Sequence, residues 1–148
     1  MEETMTGVIL GRASVTIGLV LQLAIASAAE NRSRHIVDVG ATRIEVIAEG
    51  HGPMIVLLPS TGRGSEDFDV LAGGLSQAGF RVLRPQPRGI GSSVGQMTGV
   101  SFHDFANDIA AVIKHEGGGP AIIAGHAYGN WIAAPLQLTI PSLSAASS

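Results

Sequence analysis

The stretch AIIAGHAYGNWIAA, Ala121 to Ala134, decides how the rest of the chain is read. Ala121 to Ala124 (AIIA) is a continuous apolar run, as a strand buried on both faces should be. Gly125 and Gly129 then bracket His126, Ala127 and Tyr128, and a helix begins beyond them. A strand that passes into a helix within five residues must turn sharply, and glycine at both flanks is what such a turn requires.

Upstream, strand and helix patterns alternate. His35 to Val39 and Arg43 to Ala48 (RIEVIA) alternate like strands around Gly40-Ala41, which predicts an amino-terminal hairpin. Met54 to Leu58 (MIVLL) is a second fully buried strand, ended by Pro59. Ser65-Glu66-Asp67 opens a helix whose apolar positions are Phe68, Leu71, Ala72, Leu75 and Ala78, and Gly79 stops it. Phe80 to Leu83 (FRVL) is the next strand. The loop RGIGSSVG leads to a helix capped by Ser101, with its stripe at Phe105, Ile109, Val112 and Ile113 and its end at Gly117 to Gly119. This order, without an internal repeat, predicts an α/β fold: a parallel sheet with helices on both faces and an amino-terminal hairpin.

Composition bounds the function. The chain has 148 residues, 45% hydrophobic and 14% charged, enough apolar content for one core. Its net charge of -3 and only 9 scattered Lys and Arg exclude a nucleic-acid surface. The lack of cysteine excludes thiol nucleophiles, disulfides and thiolate metal sites.

The amino terminus reads as a leader. Val15 to Ile25 is an apolar run preceded by Arg12 and followed by Ala26-Ser27-Ala28, a small-x-small cleavage pattern, so residues 1–28 are expected to be a signal peptide and the product periplasmic or secreted. Glu2 and Glu3 would be dropped by a start at Met5. The run contains Thr16 and Gln22 and falls short of about 20 apolar residues, which argues against a stable membrane anchor. A buried helix in a cytoplasmic protein is the alternative.

Three anchors carry a family resemblance over about Ile36 to Ala134: LLPSTGRGSEDF (Leu57 to Phe68), RPQPRGIGSS (Arg84 to Ser93) and GHAYGN (Gly125 to Asn130). In this order and spacing the chain resembles the first half of the α/β-hydrolase superfamily. The resemblance makes residues 29–134 a partial α/β-hydrolase domain and puts Ala127 where the family carries its serine nucleophile. It implies an oxyanion site donated by the backbone N–H of Tyr128, at the start of a helix, and that of Thr61, with Ser60 the alternative. His126, beside the elbow, is expected to point into packing, with a chemical role the less favoured reading. The acid and histidine of the family come from later strands, and the sequence ends before them. Residues 135–148, with Pro135 and Pro141, are expected to be an irregular tail such as a frameshift or early stop produces, and the sheet is expected to keep an open edge through which copies could associate.

Cofactor and metal motifs are not met. Gly89-x-Gly91 has the wrong spacing to Gly95 for a dinucleotide fingerprint, and 61–65 lacks the Gly-Lys-Ser/Thr of a phosphate loop. Tyr128 is followed by Ile132 rather than by a lysine four positions on, and no H-x-x-x-H pair occurs. Gln86 stands where the family's loop carries an acid, two residues before Arg88, which is expected to pin its loop to carbonyls or a carboxylate. The resemblance thus implies hydrolysis of a small ester, amide or lactone, withheld by Ala127, without cofactor or metal. The alternative is a noncatalytic chain that binds a small carbonyl ligand.

Overall fold

The computed structural model describes residues 32–139 and 144–147, so the leader expected at residues 1–28 lies outside the described residues. A six-stranded sheet is built from β1 (Arg32–Val39), β2 (Thr42–Glu49), β3 (Met54–Leu58), β4 (Arg81–Pro85), β5 (Ala121–Gly125) and β6 (Ser144–Ser147), in the order β1-β2-β4-β3-β5-β6. Strands β4, β3, β5 and β6 run parallel, and β2 joins β4 antiparallel. The hairpin β1–β2 turns at Gly40–Ala41, where Gly40 takes a positive φ of 61°. The α/β architecture with its leading hairpin is the one expected.

Why β3 reads as an unbroken apolar run is plain from its two faces. Met54, Val56 and Leu58 belong to the core under the helices α2 (Phe102–His115) and α3 (Tyr128–Thr139), while Ile55 and Leu57 belong to a second core under α1 (Asp69–Gln77). Successive side chains point to opposite faces, so a strand covered on both needs apolar residues throughout. Helix α2 contributes Ala106, Ile109, Val112 and Ile113, and α1 contributes Ala72 with Leu75 packed beside it. The Ser101 cap forms as expected: its side chain accepts from the Asp104 N–H, and the Asp104 carboxylate accepts from the Ser101 N–H.

Three details depart from expectation. A 3₁₀ turn (Ser65–Phe68) precedes α1. Helix α3 runs through Pro135 to Thr139 instead of breaking there. A proline in a helix interior costs about 3 kcal/mol through a lost N–H bond and ring crowding. Burial of Ile132, Ala133, Pro135 and Leu136 on one side of α3 offsets it. Beyond the helix, Ser144–Ser147 is not irregular but pairs in parallel with β5, from Ile122 opposite Ser144 to Gly125 opposite Ser147. Main-chain bonding to an edge needs no apolar pattern, so nothing in SAAS announces it. Strand β6 thus covers the far edge of β5 and is itself the outermost strand on that side. Among the described residues no helix is long and apolar enough to cross a membrane.

Among the buried charged residues Arg84 is the most enclosed. Arg84 on β4 is fully buried, bonded to the carboxylates of Glu49 and Asp69 and donating to the Ser65 carbonyl at 3.3 Å. Removing one member of a buried ion pair leaves the other uncompensated. Arg84→Ala is expected to lower stability by about 3–5 kcal/mol in urea unfolding followed by far-UV circular dichroism. The double variant Arg84→Met, Glu49→Gln should recover most of that loss.

Candidate active site

The turn between β5 and α3 is set by what cannot fit. A Cβ on Gly129 would strike the Leu58 carbonyl, and one on Gly125 would strike the backbone of Gly129 and Asn130. The same Leu58 carbonyl accepts the His126 N–H at 3.0 Å, tying the end of β3 to the turn. Two further bonds, Gly129 N–H to the His126 carbonyl and Asn130 N–H to the Ala127 carbonyl, both 3.0 Å, start the helix. Ala127 is thereby held at φ 49°, and among the described residues it is the one non-glycine residue with positive φ.

Tyr128 opens α3, so its N–H has no carbonyl one turn back and makes no bond among the described residues. After β3 the chain turns through Pro59, Ser60 and Thr61, closed by the Arg63 N–H donating to the Ser60 carbonyl at 3.2 Å. Ser60, Thr61 and Tyr128 all line one cavity of about 360 Å³. Two segments that the sequence paired thus meet at one wall. Ala127 and His126 do not line that cavity, and both are exposed. His126, expected in packing, instead borders a shallow recess with Ser60, Arg63, Asp67 and Phe68.

The remaining cavity wall is mostly apolar, with Ile44, Leu58, Met97, Phe105, Ile109 and Ile132. Its one cation, Arg88, is already committed. The guanidinium donates to both oxygens of Asp108, at 2.7 and 3.0 Å, and to the Gln96 carbonyl at 2.8 Å, and it lies 5.3 Å from the Phe105 ring centroid. The bond to Asp108 also raises its pKa. So Arg88 pins its loop to a carboxylate, as expected, and that carboxylate comes from α2. Gln86 does what an acid there could not: its amide donates to Glu66 at 2.7 Å and its carbonyl accepts the Ser65 N–H at 2.8 Å.

Three residues escaped the sequence reading. Asp108 shares the helical face of Phe105, Ile109 and Val112, and an acid at that spacing was the available signal. Glu45 anchors the loop by accepting the Ser92 N–H and pairing with Arg34, while its own N–H donates to Ser93 Oγ at 2.9 Å. Arg84 was taken for loop and is core. Phe102 stacks near Trp131 at 6.1 Å and packs on the cavity-lining Tyr128 at 5.2 Å between ring centroids, joining α2 to α3.

Burial pushes the Glu45 carboxyl up, but the Ser92 N–H and Arg34 outweigh it, and Glu66 is drawn down chiefly by Gln86. Both therefore titrate below the ordinary value of 4.5. A depressed carboxylate contributes stability that is full above its unfolded pKa and is lost as pH falls through the folded one. The urea midpoint should hold steady above about pH 5 and fall on further acidification, with a shallower fall in Glu45→Gln. A second prediction concerns the turn. Positive φ costs an alanine about 1–2 kcal/mol, against about 0.5–1 kcal/mol for glycine's extra freedom when unfolded. Ala127→Gly should therefore be neutral to stabilising by up to about 1 kcal/mol, and Gly129→Ala should destabilise by more than that in the same titration.

Comparison with known proteins agrees with this geometry. The sequence model described as the alpha/beta hydrolase family matches residues 55–146. A 2-(acetamidomethylene)succinate hydrolase of Mesorhizobium japonicum is 33% identical over 93 residues, which are 63% of this chain and 33% of that protein. An epoxide hydrolase from Vigna radiata superposes with a TM-score of 0.73 at 22% identity, covering 80% of this chain and 38% of that one. A laboratory-evolved potato epoxide hydrolase superposes at 0.71 with 19% identity, covering 78% and 39%. The chain spans about a third of the length of the curated relative it matches.

Proposed function

The chain belongs to the alpha/beta hydrolase family, and from that premise we propose that its cavity holds a small uncharged ester, amide or lactone without turning it over through an acyl intermediate. The observation that carries this reading is the turn itself. Ala127 occupies the strained position between Gly125 and Gly129 where the family's nucleophile stands, and its methyl group cannot attack. The N–H groups of Tyr128 and Thr61 supply what a carbonyl oxygen needs. Binding thus survives where bond formation does not.

The charge of the ligand follows from Arg88. The curated relative hydrolyses an acetamido compound that is also a succinate. A carboxylate ligand needs a cation to receive it, and Arg88, the one cation lining this cavity among the described residues, is already paired with Asp108 and bonded to the Gln96 carbonyl. The shared feature is then the amide or ester carbonyl, and the preferred ligand is the neutral one.

Ethyl butyrate is a suitable probe, because the single tryptophan, Trp131, stacks near Phe102, which packs on the cavity-lining Tyr128, so that its fluorescence is expected to report occupancy. The expected result is a saturable change with ethyl butyrate and a weaker one with succinate monoethyl ester. Removal of a triad member leaves at most about 10³–10⁴ over water in serine hydrolases. Ester cleavage by the chain should stay within that bound. A faster saturable rate would sink the noncatalytic reading, and failure to bind ethyl butyrate would sink the assignment of the cavity. Ala127→Ser tests the site further: acylation of that serine by p-nitrophenyl acetate, seen by mass spectrometry, is expected if the two N–H groups face its carbonyl.

A further inference from the structure

At the opposite end of the sheet from this cavity, a residue of β1 meets two neighbours at the end of α2. His35 lies on β1, His115 is the last residue of α2 and Glu116 caps that helix. His35 Nε2 is 2.6 Å from Glu116 Oε1, and His115 Nδ1 is 3.6 Å from the same oxygen. The two imidazoles stack with centroids 5.9 Å apart. One ligand atom from each of the three residues lies within 4.8 Å of the others.

We infer that His35, His115 and Glu116 form a site for a divalent transition metal of the zinc class. Two imidazoles and one carboxylate suit Zn(II), Ni(II) or Cu(II), and not the harder Ca(II) or Mg(II). With bonds of about 2.0–2.2 Å, neighbouring ligand atoms around a tetrahedral ion lie about 3.3 Å apart. The observed 2.6 and 3.6 Å bracket that value, so rotations of the partly exposed rings suffice. Water completes the shell from the solvent side, where His115 is half exposed.

The surroundings favour a cation at Oε1 in particular. Arg81 donates to the other oxygen, Oε2, at 2.7 Å, which fixes the carboxylate plane and leaves Oε1 to the imidazoles. Ligating carboxylates are commonly oriented by such an outer partner. Burial raises the Glu116 carboxyl, yet the bonds from Arg81 and His35 prevail and keep it below the ordinary carboxylate range. The carboxyl end of α2 adds its negative pole. Arg81 also brings a positive charge, which limits affinity and makes the site selective for ions that imidazole binds well. A bound ion would staple the hairpin strand β1 to α2 across 80 residues of chain, acting on stability rather than on the distant cavity.

The test is calorimetric titration of the full chain, stripped with chelator, with zinc chloride at pH 7.5. One equivalent is expected, with affinity reduced at least tenfold in both His115→Ala and His35→Ala and unchanged in His103→Ala. Thermal midpoint should rise with zinc in the parent chain and not in His115→Ala. His115 is half exposed, so that variant keeps the fold, and far-UV circular dichroism on each protein verifies it. Absence of binding at about 100 μM zinc, or binding that neither histidine variant weakens, overturns the site and leaves only a His35–Glu116 ion pair.

Discussion

The carbonyl of Leu58 is the point on which the site turns. It ends β3, accepts the His126 N–H and lies against the Cα of Gly129 with no room for a side chain between. Because β5 pairs with β3 in register up to Leu58 opposite Gly125, that one contact fixes where the chain leaves the sheet and how α3 begins. Tyr128 is then the first helical residue. Tyr128 from α3 and Ser60 and Thr61 from the β3 loop share a wall because both segments are anchored to one residue. No special sequence in the loop is required beyond its length.

The opposing wall is held by a different kind of force. Between β4 and α2 the chain makes a loop rich in glycine, and a loop of that composition has much freedom to lose. Its order comes from polar side chains elsewhere: Glu45 from β2, Asp108 from α2 and Glu66 from the turn before α1. Each acid is met by a donor on or beside the loop, Ser92, Arg88 and Gln86 respectively. The result is a mostly apolar cavity whose acids are hydrogen-bonded, with Asp108 paired to Arg88 in its wall.

Much of this was legible in the chain. Apolar runs gave the inner strands because β3 is covered on both sides, and Ser101 with Asp104 announced the start of α2 correctly. The glycines at 125 and 129 marked the turn for the reason the structure shows, a backbone too close for Cβ. What failed has a common cause. Asp108, Arg84 and the pair His35 with His115 matter through partners 15 to 80 residues away, and local pattern carries no information on which distant charge a residue meets. Pro135 and β6 failed differently: propensity opposed a helix and nothing favoured a strand, but burial of one helical face and an available sheet edge outweighed both.

Ala127 bears on how strained residues are interpreted. A non-glycine residue at positive φ within a cleft is commonly taken as a sign of function, since strain persists where structure over-determines it. Here the over-determination can be traced to three main-chain bonds and two absent side chains, which close the turn on itself and seat the start of α3 against β3 and β5. None involves the side chain of residue 127. The turn would impose the same φ on serine, alanine or aspartate, so the strain is a property of the fold, and its survival says nothing about catalysis. The chemistry open to such a turn is set by the group on that Cβ and not by the strain beneath it, and in this chain the group is a methyl.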